Sequence, residues 1–105
     1  MTKCMHLARA HKILGDVAVA EERFADARQE YDTALRILER HRCPTIEWTV
    51  LLAAAEMASA VRETPLAEHY LGRCRHVIRQ LADSLDEDKL RTNFLASEAI
   101  RPILI

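Results

Sequence analysis

The sequence has very little glycine and proline: two glycines and three prolines in 105 residues. Few turns can therefore use left-handed backbone angles or a fixed φ, which favours long helices joined by short connections. Apolar and polar residues do not alternate in the manner of a strand anywhere in the chain. The sequence therefore predicts an all-α fold, and its length suits one domain, residues 1–105.

The chain also lacks an excess of either charge, since 15 basic and 16 acidic residues leave a net charge of -1. Without basic excess to neutralise phosphates, we expect no nucleic-acid partner. The longest apolar run, TVLLAAAEMASAV, is too short for a membrane span and is interrupted by Glu56. The start, MTKCMHLARAHK, has no continuous apolar stretch of a secretory signal. We therefore expect no membrane partner.

Cysteines are few and unpaired in spacing. Cys4, Cys43 and Cys74 form an odd set, which is typical of reduced thiols rather than of a disulfide framework. The sequence therefore predicts a cytoplasmic protein.

Helical spacing of apolar residues predicts four helices, at about residues 3–21, 24–42, 45–62 and 65–83. In the first, Leu7, Leu14 and Ala18 are expected on the buried face, with Ala10 and Val17 beside them. The phase breaks after Glu21. A new stripe then follows in the second helix: Ala27, Tyr31, Ala34, Leu35 and Leu38.

The third helix is apolar nearly all round, as expected of a helix packed between neighbours. Thr64 as N-cap and Pro65 at the first helical position predict the start of the fourth helix. Its stripe is Ala67, Leu71, Cys74, Ile78, Leu81 and Leu85. Ser84 and Glu87 fit a capping box, which predicts a capping helix at residues 86–96 before a short tail.

The two helical pairs, hairpins 3–42 and 45–83, are similar at an offset of forty residues. Small residues fall on small ones and large on large: Gly15 on Ala55, Ala18 on Ala58, Ala27 on Ala67, Tyr31 on Leu71, Ala34 on Cys74, and Leu38 on Ile78. Such self-similarity is typical of stacked helical hairpins. The small side chains let antiparallel helices approach closely, and the large ones fill the remaining space.

The stretch LGDVAVAEERFADARQEYDTAL resembles a tetratricopeptide repeat, with Leu14-Gly15, Ala18, Ala27, Tyr31 and Ala34 at the signature positions. It departs from that family at His11, where tryptophan is favoured, and at Glu22, where glycine is common. The tail LRTNFLASEAIRPIL is similar to the ending of helical-repeat regions in large bacterial regulators. The resemblance covers about residues 5–104. It implies a short solenoid that binds proteins, and a role in a bacterial regulatory system.

The sequence gives little indication of a metal site or a catalytic site. The clusters CMHLARAH (Cys4, His6, His11) and HYLGRCRH (His69, Cys74, His76) contain no pair at the i, i+3 or i, i+4 spacing that helical metal ligands need. No nucleophile has an evident base, and no glycine-rich phosphate loop is present. We therefore expect no catalytic residue, no metal and no cofactor, and the sequence predicts a non-enzymatic protein.

Surface recognition is the function that remains. In stacked hairpins the first helix of each pair lines the concave face, where a peptide or a partner helix lies. The residues predicted there are Arg9, Lys12, Asp16, Thr49, Leu52 and Glu56. Some members of the resembled family clamp a partner's terminal carboxylate with lysine and asparagine. Lys12 matches that lysine, but Asp16 replaces the asparagine and would repel a carboxylate.

Two hairpins are fewer than the three that a helical solenoid usually needs. The apolar third helix and the apolar tail residues Ile100, Ile103, Leu104 and Ile105 therefore predict exposed apolar surface. Three interpretations stay open: a symmetric homodimer, an adaptor for a partner's helix, and a piece of a longer array. The sequence thus predicts a non-catalytic protein–protein interaction module. The alternative is a self-associating domain cut from a larger ATPase or transcription regulator.

Overall fold

The structure, a computed structural model, describes residues 2–84, 94–95, 97 and 100–104, and every regular element in these ranges is helical. The elements are α1 (Thr2–Ala20), α2 (Phe24–Arg40), α3 (Pro44–Ala60), α4 (Thr64–Asp83) and a single turn, α5 (Arg101–Leu104). The four predicted long helices are confirmed to within two residues at each end, and the fold class is all-α.

The helices form two hairpins that stack side by side. Helix α1 packs on α2, and α3 packs on α4, while α3 also contacts α2 and, less extensively, α1. The molecule is flat, with extents of 42 × 33 × 19 Å. Helix α3 therefore lies between the first hairpin and α4, which explains why its sequence is apolar nearly all round.

The buried face of α2 is the one its spacing predicts: Ala27, Tyr31, Ala34, Leu35 and Leu38 are all at most 5% exposed. In α4 the predicted Ala67, Cys74 and Ile78 are buried, but Leu71 and Leu81 are only half-buried. The remaining core positions of α4 went unpredicted: Tyr70, Val77 and Ala82.

The buried face of α1 differs from the prediction. Leu7 and Leu14 are each 51% exposed, and Val17 is 46% exposed. The residues that face α2 are small instead: Ala8, Gly15 and Ala18. The reason is close approach, because a Cβ atom at Gly15 would lie 2.5 Å from Cε1 of Tyr31. Of the predicted stripe only Ala18 is buried, and Ala10 is exposed.

Each hairpin turn ends its first helix in the same way. Glu22 N–H donates to the Val19 carbonyl, and Arg23 N–H donates to that of Ala18. Forty residues later, the N–H groups of Arg62 and Glu63 donate to the carbonyls of Ser59 and Ala58 in the same way. This pattern is a Schellman motif, and its C′ residues, Glu22 and Arg62, have φ values of 60° and 62°. The two hairpins therefore share turn geometry as well as packing.

The start of α4 is one residue earlier than predicted. Thr64 is already helical and Glu63 is the N-cap residue, so the expectation that Thr64 caps the helix is wrong. Pro65 does lie in the first turn, where its missing N–H costs no hydrogen bond.

The predicted exposed apolar surface is wrong for α3, which exposes no large apolar side chain, and for Ile100 and Ile103 of the tail. Ile100 and Ile103 are 2% and 5% exposed, and the Arg75 Nε–H donates to the Ile103 carbonyl at 2.8 Å, so the tail covers α4. The predicted capping helix, residues 86–96, lies outside the described residues except for Phe94 and Leu95, which pack against the core. The side chain of Leu104 and all of Ile105 also lie outside them.

We predict that Glu22→Gly and Arg62→Gly each raise the free energy of unfolding by about 0.5–1 kcal/mol. A residue with a Cβ atom is strained at positive φ, whereas glycine is not. Urea denaturation monitored by circular dichroism measures the change. Ala20→Gly is the control, because Ala20 is the last residue of α1 and has helical backbone angles. This change should lower the free energy of unfolding by about 1 kcal/mol. Destabilisation by both C′ variants would contradict the account.

We also predict opposite effects at the two glycines. Gly15→Ala should destabilise by about 1–3 kcal/mol, because the new methyl overlaps the buried Tyr31 ring. Gly72→Ala is the matched control, since nothing lies within 4 Å of the added Cβ atom. It should stabilise the helix by up to about 1 kcal/mol.

The second hairpin supplies a rescue, because Ala55 and Leu71 stand where Gly15 and Tyr31 do. The double variant Gly15→Ala, Tyr31→Leu should be more stable than the sum of its single changes implies. Additive effects in the same denaturation assay would show that the two positions are not in contact.

Candidate functional site

A groove between α1 and α3, which continues between α3 and the start of α4, contains three depressions, and the predicted partner-binding residues are distributed among them. Arg9, Lys12 and Thr49 lie together in the first, of ≈ 180 Å³, which Ile13, Thr45 and Ile46 complete. Arg9 is exposed, while Lys12 and Thr49 are half-buried. This end of the groove therefore offers two cationic side chains and two threonines.

Asp16 and Glu56 line the second depression, of ≈ 150 Å³. Tyr31 contributes to it from α2, through the gap left by Gly15. Tyr31 is buried in the core, as predicted, but its position at this depression was not predicted. This middle part of the groove is acidic.

Leu52 and Glu56 line the third and largest depression, of ≈ 350 Å³, which lies between α3 and the start of α4. Ala55, Ala67 and Leu71 give it an apolar lining, and the exposed Glu68 stands at it as well. Glu56 belongs to both depressions and so links them. The six predicted residues therefore line one continuous side of the molecule rather than one pocket.

A network of short hydrogen bonds fixes the polar side chains of α1. Lys12 Nζ donates to Asp16 Oδ2 at 2.6 Å, and Tyr31 Oη–H donates to Asp16 Oδ1 at 2.6 Å. Burial of the ring raises the pKa of Tyr31 above its ordinary value, and the hydrogen bond to Asp16 and the charges of Asp16 and Glu56 add to the effect. Asp16 thus holds Lys12 and Tyr31 in place at once.

His11, which stands where the resembled family favours tryptophan, joins α1 to α2. Its Nδ1 lies 2.7 Å from Oε2 of Glu30, and both side chains are half-buried. A similar link joins the two hairpins, where Tyr70 Oη–H donates to Asp32 Oδ1 at 3.1 Å. Burial raises the pKa of Tyr70, as do the charge and hydrogen bond of Asp32.

The candidate metal ligands are not brought together. Cys74 is fully buried, and its thiol donates to the Trp48 carbonyl at 3.3 Å. Burial raises its pKa to about 11, which leaves little thiolate near neutral pH. His69 and His76 are exposed at the surface of α4, and the side chain of Cys4 lies outside the described part. Within that part, no cluster of three or more histidine, cysteine or acidic side chains is arranged to hold a metal ion.

A family model matches much of the first hairpin. The SHNi-TPR model, of the tetratricopeptide type, matches residues 10–45, which cover most of α1, all of α2 and the connection to α3. The match supports the tetratricopeptide resemblance seen in the sequence for these residues, and it does not bear on the resemblance of the tail to bacterial regulators. Families of this type are generally protein-interaction scaffolds.

Neither a curated protein nor a solved structure gives a significant match to the chain. In the described ranges, none of the helices has the length and apolar character needed to cross a membrane.

We predict that both tyrosines ionise above pH 10 in the folded protein and near pH 10 when unfolded in urea. Because the folded pKa values of Tyr31 and Tyr70 are raised, their contribution to stability is present below pH 10. It is lost as the pH rises through the folded values. The absorbance of tyrosinate measures the ionisation directly, since the chain has only these two tyrosines.

Two matched variants assign the two transitions. Asp16→Asn should lower the pKa of Tyr31 and leave that of Tyr70 in place, and Asp32→Asn should do the reverse. Ionisation of both groups near pH 10 in the folded wild type would contradict the buried, carboxylate-bound positions.

Proposed function

We propose that the groove between α1 and α3 binds a segment of a protein partner, with Arg9, Lys12, Asp16, Thr49, Leu52 and Glu56 as its contact residues. The observation that supports this proposal is that all six side chains line the same run of three depressions. The tetratricopeptide-type match to residues 10–45 supports it independently.

The charges along the groove suggest what the partner segment carries. Arg9 with the threonines near it suits an acidic or hydrogen-bonding group, whereas Asp16 and Glu56 suit a basic one. Leu52 and the apolar lining of the third depression suit an aliphatic side chain. Clamping of a terminal carboxylate is not part of this proposal, because Asp16 already pairs with Lys12 at 2.6 Å.

The function is binding without catalysis or a cofactor. On the similarity of the tail to large bacterial regulators, the narrower proposal is a regulatory interaction in a bacterial cytoplasm. Self-association is the second candidate function, and the specific observation that favours it is the exposure of large apolar side chains on α1. Nucleic acid and membranes are not among the proposed partners, since the chain has no basic excess.

A peptide selection with charge-reversal variants tests groove binding. Peptides are selected from a displayed random library against the full chain, and their affinities are measured by calorimetry. Arg9→Glu and Glu56→Arg should each weaken binding about tenfold or more, because they reverse a basic and an acidic charge in two different depressions of the groove.

Arg79→Glu is the matched control, since Arg79 is an exposed residue of α4 outside the groove. It makes the same charge change as Arg9→Glu and should leave affinity unchanged. Selected peptides whose affinity is insensitive to both groove variants would place binding elsewhere and overturn the proposal.

A further inference from the structure

The third depression of the groove lies where the two helices of the second hairpin meet. It is lined by four residues of α3, from Leu52 to Ser59, and by four of α4, from Thr64 to Leu71. Each set of four follows the spacing i, i+3, i+4 and i+7, so it lies on one face of its helix. We refer to this depression, of ≈ 350 Å³, as the α3–α4 pocket.

The internal repeat shows what occupies the equivalent space in the first hairpin. At the offset of forty residues, the α3–α4 pocket corresponds to the face of α1 from Lys12 to Val19 and the face of α2 from Phe24 to Tyr31. The Tyr31 ring lies there against Gly15 and is 2% exposed. Val19 and Phe24 are half-buried and pack against the same core. In the first hairpin the chain's own side chains therefore occupy this space.

The second hairpin has smaller side chains in the equivalent places. At three positions of the pocket a smaller residue replaces a larger one: Leu71 for Tyr31, Thr64 for Phe24 and Ser59 for Val19. Thr64 and Ser59 are exposed, and Leu71 is only half-buried. The α3–α4 pocket is therefore the space that aromatic and aliphatic side chains occupy in the first hairpin, and the largest of them is the Tyr31 ring.

The edge of the pocket provides hydrogen-bond acceptors. Glu56 stands where the first hairpin has Asp16, which accepts the Tyr31 hydroxyl at 2.6 Å. Glu56 and Glu68 are exposed, and neither carboxylate has a hydrogen bond or an ion pair within the part of the chain that the structure describes. The apolar lining disfavours a bare charge in the pocket. A carboxylate at its edge, however, binds a hydroxyl donor strongly.

From this comparison we infer that the α3–α4 pocket takes a tyrosine side chain of the partner segment, with its hydroxyl donating to Glu56 as that of Tyr31 donates to Asp16. This inference rests on the proposed function, since it names the side chain that the partner places in the third depression. An aliphatic side chain suits the apolar lining but leaves Glu56 without a donor. Tyrosine combines a large apolar ring with a polar tip and meets both requirements.

Titration of the full chain with p-cresol, which is the tyrosine side chain alone, tests the pocket without a partner. The methyl resonances of Leu52 and Leu71 in the NMR spectrum should shift saturably. Glu56→Ala should weaken p-cresol binding about threefold or more, because it removes the acceptor of the hydroxyl. Glu68→Ala is the matched control: it removes an equally exposed carboxylate at the same edge, at the position equivalent to Arg28, and should leave the affinity unchanged.

Filling the pocket with a ring of the chain itself is the complementary test. The double variant Ala55→Gly, Leu71→Tyr restores the pair of residues found in the first hairpin and should abolish p-cresol binding, whereas Ala55→Gly alone should retain it. If the double variant does not fold, Ser59→Val with Thr64→Phe restores the other two first-hairpin residues at exposed positions. This second filled variant should weaken p-cresol binding about tenfold or more, because the new side chains take up the space of the ring.

The absence of saturable shifts in the wild type would overturn the inference, as would shifts that persist unchanged in the filled variants. Equal effects of Glu56→Ala and Glu68→Ala would overturn the assignment of Glu56 as the acceptor.

The peptides selected against the full chain separate this inference from the proposed function. They should contain a tyrosine whose replacement by leucine weakens binding about tenfold or more. Peptides that depend on Arg9 but tolerate leucine and a filled pocket would overturn the inference and leave groove binding intact. Binding of p-cresol in the pocket, together with peptides that are insensitive to Arg9→Glu, would support the pocket and overturn the proposed function of the groove.

Discussion

The contact on which the rest of this structure depends is the approach of the Tyr31 ring to the backbone of α1 at Gly15. No side chain with a Cβ atom fits there, and the ring is 2% exposed. A buried hydroxyl needs a hydrogen-bond partner, and Asp16 provides it from the next residue of α1. Asp16 in turn binds Lys12. One packing contact thus sets the distance between two helices and fixes the polar side chains of the groove.

The second hairpin has small residues at the equivalent positions of its first helix. Ala55 and Ala58 are buried where Gly15 and Ala18 lie in the first, and Leu71 replaces Tyr31. The left-handed residues Glu22 and Arg62 set the same turn after each first helix. Packing and turn are thus repeated together. The face of α3 that packs on the first hairpin is equivalent to the face that α1 leaves exposed. The groove lies along a different face of each of these two helices.

The sequence was sufficient to predict the helices and their packing as two hairpins, because these follow from spacing and from small residues at recurring positions. It misidentified the buried face of α1. Leu7, Leu14 and Val17 are more hydrophobic than Ala8, Gly15 and Ala18, and hydrophobicity alone puts the larger set inside. Close approach reverses this order, since only small residues fit between two helices in contact. The spacing of α1 does not reveal which constraint applies, because both sets recur at helical intervals.

Contacts between residues far apart in the sequence could not be predicted either, because helical spacing carries no information about them. The tail was predicted to be exposed apolar surface, yet Ile103 is buried and its carbonyl accepts a hydrogen bond from Arg75, 28 residues away. Tyr31 was assigned to the core from its stripe, but its hydroxyl lies in the groove because of where Asp16 falls on α1. Such positions depend on how elements meet in space and not on the period within one element.

The most direct test of this account is the proton NMR spectrum of Gly15 in the folded protein. An aromatic ring in contact with the glycine should shift its two α-proton resonances away from ordinary helical values and give strong nuclear Overhauser effects to the Tyr31 ring protons. Both the shift of the α-proton resonances and the nuclear Overhauser effects from the ring should be absent in Tyr31→Leu. Unshifted α protons with no effect from the ring would show that α1 and α2 do not meet at this point, and the derivation of the groove from that contact would fail.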